Sequence, residues 1–451
     1  MSILKFIKGE NKAEKQSGNK QYLTGKEVRE IAKANQKEMR RLEKAKNRKA
    51  PQSEYTTALK DEKNILEVEG LHSYFFTDQG VVKAVNGVTF NIPVNSTVGV
   101  VGESGCGKSV TSMSIMRLLQ GPSGQIVEGE IRFKVNDYKR DENGKFIPVY
   151  EKDENGNVVM ENVLDKDGNP KMDKEGQPLK QPKQLLDANG MGVYESEEVV
   201  FDIAKMPIQE MYRLRGRQMA MVFQEPMTSL NPVFTIGDQL DEVTLLHVPG
   251  ATKELAKKRS IEMLNMVGIS MPERVYASFP HELSGGMRQR VMIAMALAGE
   301  PRLIIADEPT TALDVTIQAQ ILDLFNDLKK KINSSILLIT HDLGVIAEMA
   351  DYVVVMYAGR IIEQGTASEI FHNPLHPYTQ GLQKSKPTMK SKDKLFNIPG
   401  NVPNPINMPN NCYFKERCSK CIGKCSGEYP GMVQVSPTHY VACHLYEPKE
   451  D

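Results

Sequence analysis

Short runs of apolar residues, each followed at once by glycine or polar residues, recur along the chain. Four of them are wholly or almost wholly apolar, which is typical of strands buried on both faces of a parallel sheet: 97–101, 219–223, 303–306 and 335–339. In such sheets, ligands bind at the C-terminal ends of the strands. The pattern therefore predicts an α/β core with a ligand site along one edge of its sheet.

The residues that follow these four strands are the first candidates for that site. They are Gly102, Gln224, Asp307 with Glu308, and His341. A lone glutamine or histidine after a strand is usually an ordinary surface residue. We expect a functional site because all four strands deliver such groups to one sheet edge.

The segment after the first strand, Gly102–Ser109 (GESGCGKS), matches the phosphate-binding pattern G-x-x-x-x-G-K-[ST] in full. It lies between the predicted strand 97–101 and a predicted helix over 110–119, which is the context that the motif requires. The glycines let backbone N–H groups face the phosphates of a nucleotide, Lys108 would reach the β- and γ-phosphates, and the Ser109 hydroxyl would hold Mg²⁺. Within the loop, Cys106 is expected to be a small filler rather than a reactive thiol.

A second phosphate-binding element is predicted at 283–287 (LSGGM), where Ser284, Gly285 and Gly286 precede an amphipathic run. The start of a helix carries free backbone N–H groups that suit a phosphate. This element lacks a lysine. An ordinary turn is the alternative reading of the Gly-Gly pair alone.

The composition excludes some classes of function. The 451 residues contain 57 Lys and Arg and 57 Asp and Glu, so the formal net charge of zero gives no overall case for nucleic-acid binding. No apolar run approaches the ~20 residues that span a bilayer, and the first residues are too polar for a secretory signal. We therefore expect an intracellular protein.

Together the motifs resemble the nucleotide-binding subunits of ABC transporters over roughly 65–383, apart from one insertion. GESGCGKS resembles the Walker A loop, Gln224 the Q-loop, LSGGM the signature, LIIADE the Walker B strand, ALD (312–314) the D-loop and His341 the switch histidine. PHELSGGMRQRVMIAMAL and the tail segments PLHPYTQGL, NIPG and VACHL are similar to the oligopeptide/dipeptide importer branch, of the OppD type.

The resemblance implies a P-loop NTPase (RecA-like) core with an antiparallel β subdomain and an ABC helical subdomain, and it assigns roles to residues. Glu308 would polarise the attacking water, with His341 at the γ-phosphate and Gln224 linking the site to the helical subdomain. Mg²⁺ would be held by Ser109, Gln224 and Asp307. ATP would be bound by Phe75 (with Tyr74 and Phe76 as alternatives for stacking on adenine), Gly102, Ser104, Gly105, Cys106, Gly107, Lys108, Ser109 and, from an opposing subunit, Ser284, Gly285, Gly286 and Asp314.

The function implied by the resemblance is ATP hydrolysis that powers oligopeptide uptake. Dipeptide or nickel import, and a non-transport ABC ATPase acting on RNA or ribosomes, are the alternatives, while the complete motif set disfavours a non-enzymatic scaffold. The implied partners are a similar ATPase subunit in a heterodimer, two transmembrane permeases and an extracytoplasmic substrate-binding protein, with no nucleic acid. We expect the protein at the cytoplasmic face of the membrane.

The predicted domains are a basic tail (1–60), an ATPase domain (61–385) and a C-terminal extension (386–451). The tail contains a helix-prone stretch at 26–49, expected to be solvated or to contact anionic lipids. The ATPase domain contains an insertion (134–200) and a helical subdomain (230–285). Within the insertion, Asp-x-x-Gly turns begin at Asp141, Asp153, Asp165 and Asp173, which predicts β-hairpins rather than a calcium site, since the Ca²⁺-loop spacing is absent.

Five of the six cysteines lie in the C-terminal extension. In an intracellular protein, such a group is more often a metal site than a disulfide framework. Cys412, Cys418, Cys425 and Cys443 resemble the pattern of peptide-importer ATPases, and Cys421 is an extra. We expect [4Fe–4S] or, second, Zn²⁺, because the spacing is not that of zinc-ribbon pairs. Packed reduced thiols are the alternative.

Overall fold

The computed structural model describes residues 24–143, 145–165, 168–186, 190, 192–224, 229–311, 314–385 and 396–448. Parts of the predictions lie outside the described residues: the first 23 residues of the basic tail, Ala312 and Leu313 of the D-loop, Gly144 of the first turn in the insertion, and 386–395 at the start of the C-terminal extension.

Strands form two larger sheets and a small hairpin. They are β1 (Thr56–Thr57), β2 (Asn64–Thr77), β3 (Gly80–Pro93), β4 (Thr97–Val101), β5 (Gly124–Tyr138), β6 (Met160–Asn162), β7 (Lys180–Pro182), β8 (Ser196–Asp202), β9 (Met219–Val222), β10 (Leu303–Asp307), β11 (Ser335–Ile339), β12 (Tyr352–Tyr357), β13 (Arg360–Thr366), β14 (Val433–Gln434) and β15 (Tyr440–Val441).

Helices cover these sheets or extend from them. They are α1 (Gly25–Lys46), α2 (Lys108–Ile115), α3 (Ile236–His247), α4 (Lys253–Met266), α5 (Pro272–Ala277), α6 (Gly285–Leu297), α7 (Val315–Ile332), α8 (Leu343–Met349), α9 (Ala367–His372) and α10 (Pro377–Lys384). No helix in the described part of the chain is long and apolar enough to cross a bilayer.

The four predicted apolar strands are confirmed as β4, β9, β10 and β11, and they are neighbours in one sheet. Its order is β14-β15-β13-β12-β4-β11-β10-β9, and the pairs that join β12, β4, β11, β10 and β9 are parallel. Every residue of these four strands is buried. The carboxyl ends of β4, β9, β10 and β11 therefore point to one edge, as the hydrophobic pattern predicts.

The second large sheet is antiparallel, in the order β1-β8-β5-β2-β3, and carries α1 on one face. Thr24 begins α1 with a reciprocal cap to Glu27. Leu42 then packs with Tyr74, Phe76 and Val81 of the hairpin β2–β3. The helix-prone stretch of the tail is thus a packed helix, because one of its faces is apolar enough to cover the sheet.

The insertion is a set of hairpins that grows out of β5 and β8. These strands remain paired as far as Tyr138 and Ser196, so the predicted bounds of 134 and 200 fall within the strands. In the turns, the Oδ1 atoms of Asp141, Asp153, Asp165 and Asp173 accept the amide of the residue four positions later, at 2.8–2.9 Å. The carboxylates thus stabilise their own turns.

The C-terminal extension is built into the parallel sheet. Strand β15 pairs with β13 through Gln364–Tyr440 and Glu363–Val441, and β14 adds one further strand. Phe414 packs against the rings of Tyr357 and Tyr378, with ring centroids 5.3 and 5.5 Å apart. The extension therefore shares the main hydrophobic core rather than forming a separate body.

Candidate functional site: the nucleotide-binding edge of the parallel sheet

A cavity of about 490 Å³ opens at the carboxyl edge of the parallel sheet. Its walls come from the phosphate loop, the ends of three strands and one residue of β3: Ala84, Ser104, Gly105, Gly107, Lys108, Ser109, Val110, Gln224, Glu308 and His341. The structure thus brings together the groups that follow the predicted strands.

The phosphate loop is held tightly against β3 and against itself. Gly107 has φ of +101°, and a Cβ there would lie 2.3 Å from the carbonyl oxygen of Ala84, so this position requires glycine. Lys108 Nζ donates to the carbonyl oxygens of Gly102 and Glu103 at 2.8 and 3.2 Å. Two carbonyl oxygens therefore hold the ammonium group inside the curl of the loop, and Lys108 is the one cationic side chain of 102–109.

Cys106 is 1 % exposed beneath the loop. Burial raises the pKa of its thiol, partly opposed by the charge of Lys108. It is thus a buried filler rather than a nucleophile.

Asp307, at the end of β10, contacts the serine that ends the phosphate loop. Ser109 Oγ donates to its Oδ1 at 3.0 Å, and Ser112 Oγ donates to its Oδ2 at 3.3 Å. The pKa of Asp307 is raised, mainly by burial and further by the charge of Glu308. The hydrogen bonds from Ser109 and Ser112 oppose this and lower it in part. A buried carboxylate beside a hydroxyl and a second carboxylate suits a hard divalent cation such as Mg²⁺.

Glu308 lies at the centre of the remaining polar groups. Its Oε2 accepts from Gln224 Nε2 at 3.1 Å and from Thr311 Oγ1 at 3.0 Å, while its Oε1 lies 3.3 Å from His341 Nδ1. The backbone of Glu308 has φ of +48°, an unusual value for a residue other than glycine. The carboxylate is therefore aimed by three side chains and by a strained turn.

The LSGGM turn lies outside this cavity, since none of its residues is among the described residues of the cavity wall. Ser284 caps α6 by accepting from the amide of Met287 at 3.3 Å, and Ser284 and Gly285 are exposed. Asp314, likewise outside the wall, caps α7 through the amide of Ile317. A Cβ on Gly286 would lie 3.3 Å from the Ile317 side chain. The turn is thus a helix start, exposed at Ser284 and Gly285, that does not line the cavity of its own phosphate loop.

Of the three aromatic candidates for adenine stacking, Tyr74 and Phe76 are buried beneath α1. Phe75 points to the opposite face and is half-buried, where its ring fills the space left by Gly124. It is on the same face as Ser73, whose hydroxyl is 2.7 Å from that of Ser114 in α2. The described residues of the cavity wall do not include Phe75, so it borders the phosphate-loop helix rather than the cavity itself.

The cysteines of the extension are gathered in one region. All six cysteines of the chain are free thiols, and the amide of Cys412 donates to the carbonyl oxygen of Cys425 at 3.2 Å. Burial, followed by the proximity of Cys425, Cys443 and Cys418, raises the pKa of Cys412 to about 11. Across the described residues, no group of three or more His, Cys, Asp or Glu side chains has an arrangement that would hold a metal ion.

Several residues at the site carry no sequence signal of their own. Thr311 bonds to Glu308, and Ala84 and Val110 line the cavity. Arg417 and Tyr378, from beyond the cassette motifs, contact the phosphate loop. Thr311 and Val110 adjoin recognised motifs, whereas Ala84 lies in β3 and adjoins none. Tyr378 belongs to the tail segment PLHPYTQGL, but neither its sequence nor that around Arg417 indicates a contact with the phosphate loop.

Two family models match the chain. The family described as "ABC transporter" matches residues 85–199 and 185–311, and "Oligopeptide/dipeptide transporter, C-terminal region" matches 362–425. The first covers the phosphate loop and the Asp307–Glu308 pair, and the second covers the start of the extension.

Curated relatives match over most of their length. The oligopeptide transport ATP-binding protein AppD of Bacillus subtilis (strain 168) is 43% identical over 85% of this chain and 97% of its own. From the same organism, the oligopeptide transport ATP-binding protein OppD is 44% identical over 85% of this chain and 89% of its own. The dipeptide transport ATP-binding protein DppD, also of Bacillus subtilis (strain 168), is 40% identical over 86% of this chain and 96% of its own.

These relatives are transport proteins, so a non-transport ATPase acting on RNA or ribosomes is not favoured. The phosphate loop, the paired carboxylates and the fold agree with the family match. The chain belongs to the ATP-binding subunits of the oligopeptide/dipeptide ABC transporters, and it is an ABC-type ATPase.

Proposed function

We propose that this ATPase powers the uptake of oligopeptides through separate membrane permeases, at the cytoplasmic face of the membrane. The observation that carries the catalytic part is the position of Glu308, held by Gln224, Thr311 and His341 in the wall of the cavity that contains Lys108. The names of AppD and OppD support oligopeptides as the substrate.

In this proposal Lys108 and the backbone of 102–109 bind the phosphates, and Ser109, Asp307 and Gln224 hold Mg²⁺. The cation supplies charge neutralisation to the phosphates. Glu308 orients the attacking water and accepts its proton. The hydrogen bonds to its Oε2 fix the carboxylate in position for both tasks. His341, exposed beside Glu308, contacts the γ-phosphate, and Phe75 stacks on adenine.

The second half of each ATP site comes from a similar ATPase subunit in a heterodimer. The exposed turn Ser284–Gly286 supports this, because it is a helix start without a lysine, outside the cavity of its own chain. It would bind the γ-phosphate of the nucleotide held by the opposing subunit, and Asp314 would lie in the same contact between the two subunits.

Two permease subunits dock on the helical subdomain, and a substrate-binding protein outside the cell delivers the peptide. The support is the exposure of large apolar side chains around this subdomain: Val233 (71 %), Phe234 (53 %), Leu246 (70 %) and Met271 (62 %). Apolar residues in such number on one subdomain are typical of an interaction surface.

We further propose that Cys412, Cys418, Cys425 and Cys443 bind a [4Fe–4S] cluster or Zn²⁺. Their proximity supports this, and a metal would lower the pKa values of Cys412, Cys418 and Cys443, which burial now raises. The side chains must rearrange to ligate, given their present arrangement. Metal analysis and an absorption spectrum of anaerobically purified protein test the assignment. Iron with sulfide would indicate the cluster, and zinc without iron would indicate Zn²⁺. Protein that contains neither metal would refute the proposal.

Uptake into vesicles tests the transport function. The chain is reconstituted with its permeases, partner ATPase and binding protein, and labelled oligopeptide, dipeptide and Ni²⁺ are compared with ATP inside the reconstituted compartment. ATP-dependent accumulation of oligopeptides is expected, and it should be lost in the Glu308→Gln variant. Preferential accumulation of dipeptide or Ni²⁺ would show that oligopeptides are not the main substrate.

A further inference from the structure

The phosphate loop is tied to the C-terminal extension by a partly buried ion pair. Arg417 ends a short helical turn (Lys415–Arg417) of the extension, 314 residues away from Glu103, the second residue of the phosphate loop. Its Nη1 donates to Glu103 Oε2 at 2.7 Å and its Nη2 to Glu103 Oε1 at 2.9 Å. The Arg417 side chain is 6 % exposed and that of Glu103 27 %. This is the bidentate geometry that makes an arginine–carboxylate pair strong and directional.

The extension fixes the rest of the guanidinium group. Arg417 Nε donates to the carbonyl oxygen of Pro399 at 3.0 Å, Nη2 to that of Ile398 at 3.3 Å, and Nη1 to the Tyr357 hydroxyl at 3.3 Å. All five N–H groups of the side chain therefore have an acceptor. The hydrogen bond to Glu103 raises the pKa of Arg417, against burial, so the group stays charged. Its position is set by the extension rather than by the loop alone.

A second contact holds the backbone of the same loop residue. The amide of Glu103 donates to the hydroxyl of Tyr378 at 2.8 Å. Tyr378, in α10, is fully buried, and its ring centroid lies 4.8 Å from that of Tyr357. Both the main chain and the side chain of Glu103 are thus held by residues beyond the cassette motifs.

We propose that Arg417 is a positioning residue for ATP, acting through Glu103. Without a cationic partner, the Glu103 carboxylate would place a negative charge in the loop that receives the triphosphate, and like charges at this distance weaken binding. Arg417 cancels this charge from a position that the extension sets. The extension thereby contributes to nucleotide affinity without lining the cavity.

Equilibrium binding of Mg–ATP to the purified full chain tests the proposal, with Arg417→Gln, Glu103→Gln and the double variant compared. Arg417→Gln is expected to weaken ATP binding by about tenfold or more, because it leaves an uncompensated charge. Glu103→Gln should bind ATP at least as tightly as the unaltered chain. The double variant should return to within about threefold of it, since neither charge remains.

Controls separate this role from a purely structural one. Lys424→Gln breaks a surface pair with Glu447 (3.8 Å) in the same extension and should leave ATP affinity unchanged. The affinity lost in Arg417→Gln should shrink as salt is added, because salt screens the exposed charge. If thermal unfolding shows that Arg417→Gln is not folded, Arg417→Lys replaces it. Lysine keeps the charge but not the bidentate bond, so an intermediate loss of ATP affinity is expected. Unchanged ATP affinity in Arg417→Gln, or in Arg417→Lys where that variant replaces it, would overturn the proposal. A double variant as weak as Arg417→Gln would overturn it as well.

Discussion

Glu308 Oε1 lies 3.3 Å from Nδ1 of His341, although the two residues follow different strands of the parallel sheet. The other oxygen of the same carboxylate accepts hydrogen bonds from Gln224 and Thr311. The three side chains constrain both oxygens, and the left-handed backbone at Glu308 projects them into the cavity. This arrangement is what a group that must orient a water molecule requires.

Replacement of Glu308 by glutamine should abolish turnover and leave ATP binding intact. The variant keeps the shape of the side chain and loses the proton acceptor, so a decrease in kcat of at least about 10²-fold is expected. Phosphate release and ATP binding are measured on the same samples. Glu262→Gln, at an exposed surface pair with Lys258, is the matched control and should be unaffected. Turnover within tenfold of the unaltered protein would exclude Glu308 as the base.

Phe75→Ala should weaken ATP binding, because Phe75 is the aromatic side chain of the three that is not packed beneath α1. Loss of stacking on one base costs about 1–3 kcal/mol, or roughly 5- to 150-fold in affinity. Phe75→Tyr keeps the ring and should bind ATP normally. Phe76→Leu should lower thermal stability without changing affinity, since Phe76 is in the core under α1. An unchanged dissociation constant in Phe75→Ala would place the adenine elsewhere.

The insertion should be removable without loss of ATPase activity. Tyr138 and Ser196 are paired residues on neighbouring strands, so an Asn-Gly turn in place of 139–195 can close the hairpin. Arg217 remains stacked on Tyr138, with its Cζ 3.3 Å from the ring centroid. The unfolding midpoint is expected to change by no more than about 5 °C. Loss of ATP hydrolysis in a folded deletion variant would assign the insertion a part in catalysis.

The attachment of the extension should weaken in acid through Glu369. Burial raises the pKa of this carboxyl, but hydrogen bonds from Ser436, Thr366 and Thr438 outweigh it and bring the pKa to about 2. Because the folded-state pKa is below the ordinary value of 4.5, Glu369 stabilises the fold above pH 4.5, and this contribution is lost as the pH falls towards 2.

Urea unfolding at several pH values measures this dependence. Glu369→Gln should flatten the stability profile between pH 4.5 and 2. Glu262→Gln, at the exposed surface pair with Lys258 in α4, provides the control substitution. A Glu369→Gln profile as steep as that of the unaltered chain would mean that other carboxyl groups control the acid transition.

The parallel core and the phosphate loop are predictable from sequence because strands such as 97–101 and 335–339 are buried on both faces and read as unbroken apolar runs. The polar groups at their ends follow from sheet geometry. Hairpins in the insertion are predictable as well, since each Asp-x-x-Gly turn is specified by local chemistry.

Other features depend on contacts between distant residues. The strand Ser196–Asp202 has mixed acidic and apolar residues, and the predicted insertion includes its residues up to 200, yet it pairs with β5. Val433–Gln434 and Tyr440–Val441 are two residues long, too short to show a period. The Arg417–Glu103 pair joins residues 314 positions apart and leaves no local pattern at either end.

The central claim is that one chain supplies only half of each ATP site, with the exposed Ser284–Gly286 turn completing the site of another subunit. Sedimentation of the Glu308→Gln variant together with its partner ATPase and permeases, with and without Mg–ATP, measures this directly. We predict that Mg–ATP closes the two ATPases into a stable dimer, and that adding Ser284→Arg prevents it. An ATP-loaded Glu308→Gln chain that does not associate with a second ATPase, even in the presence of its permeases, would contradict the account.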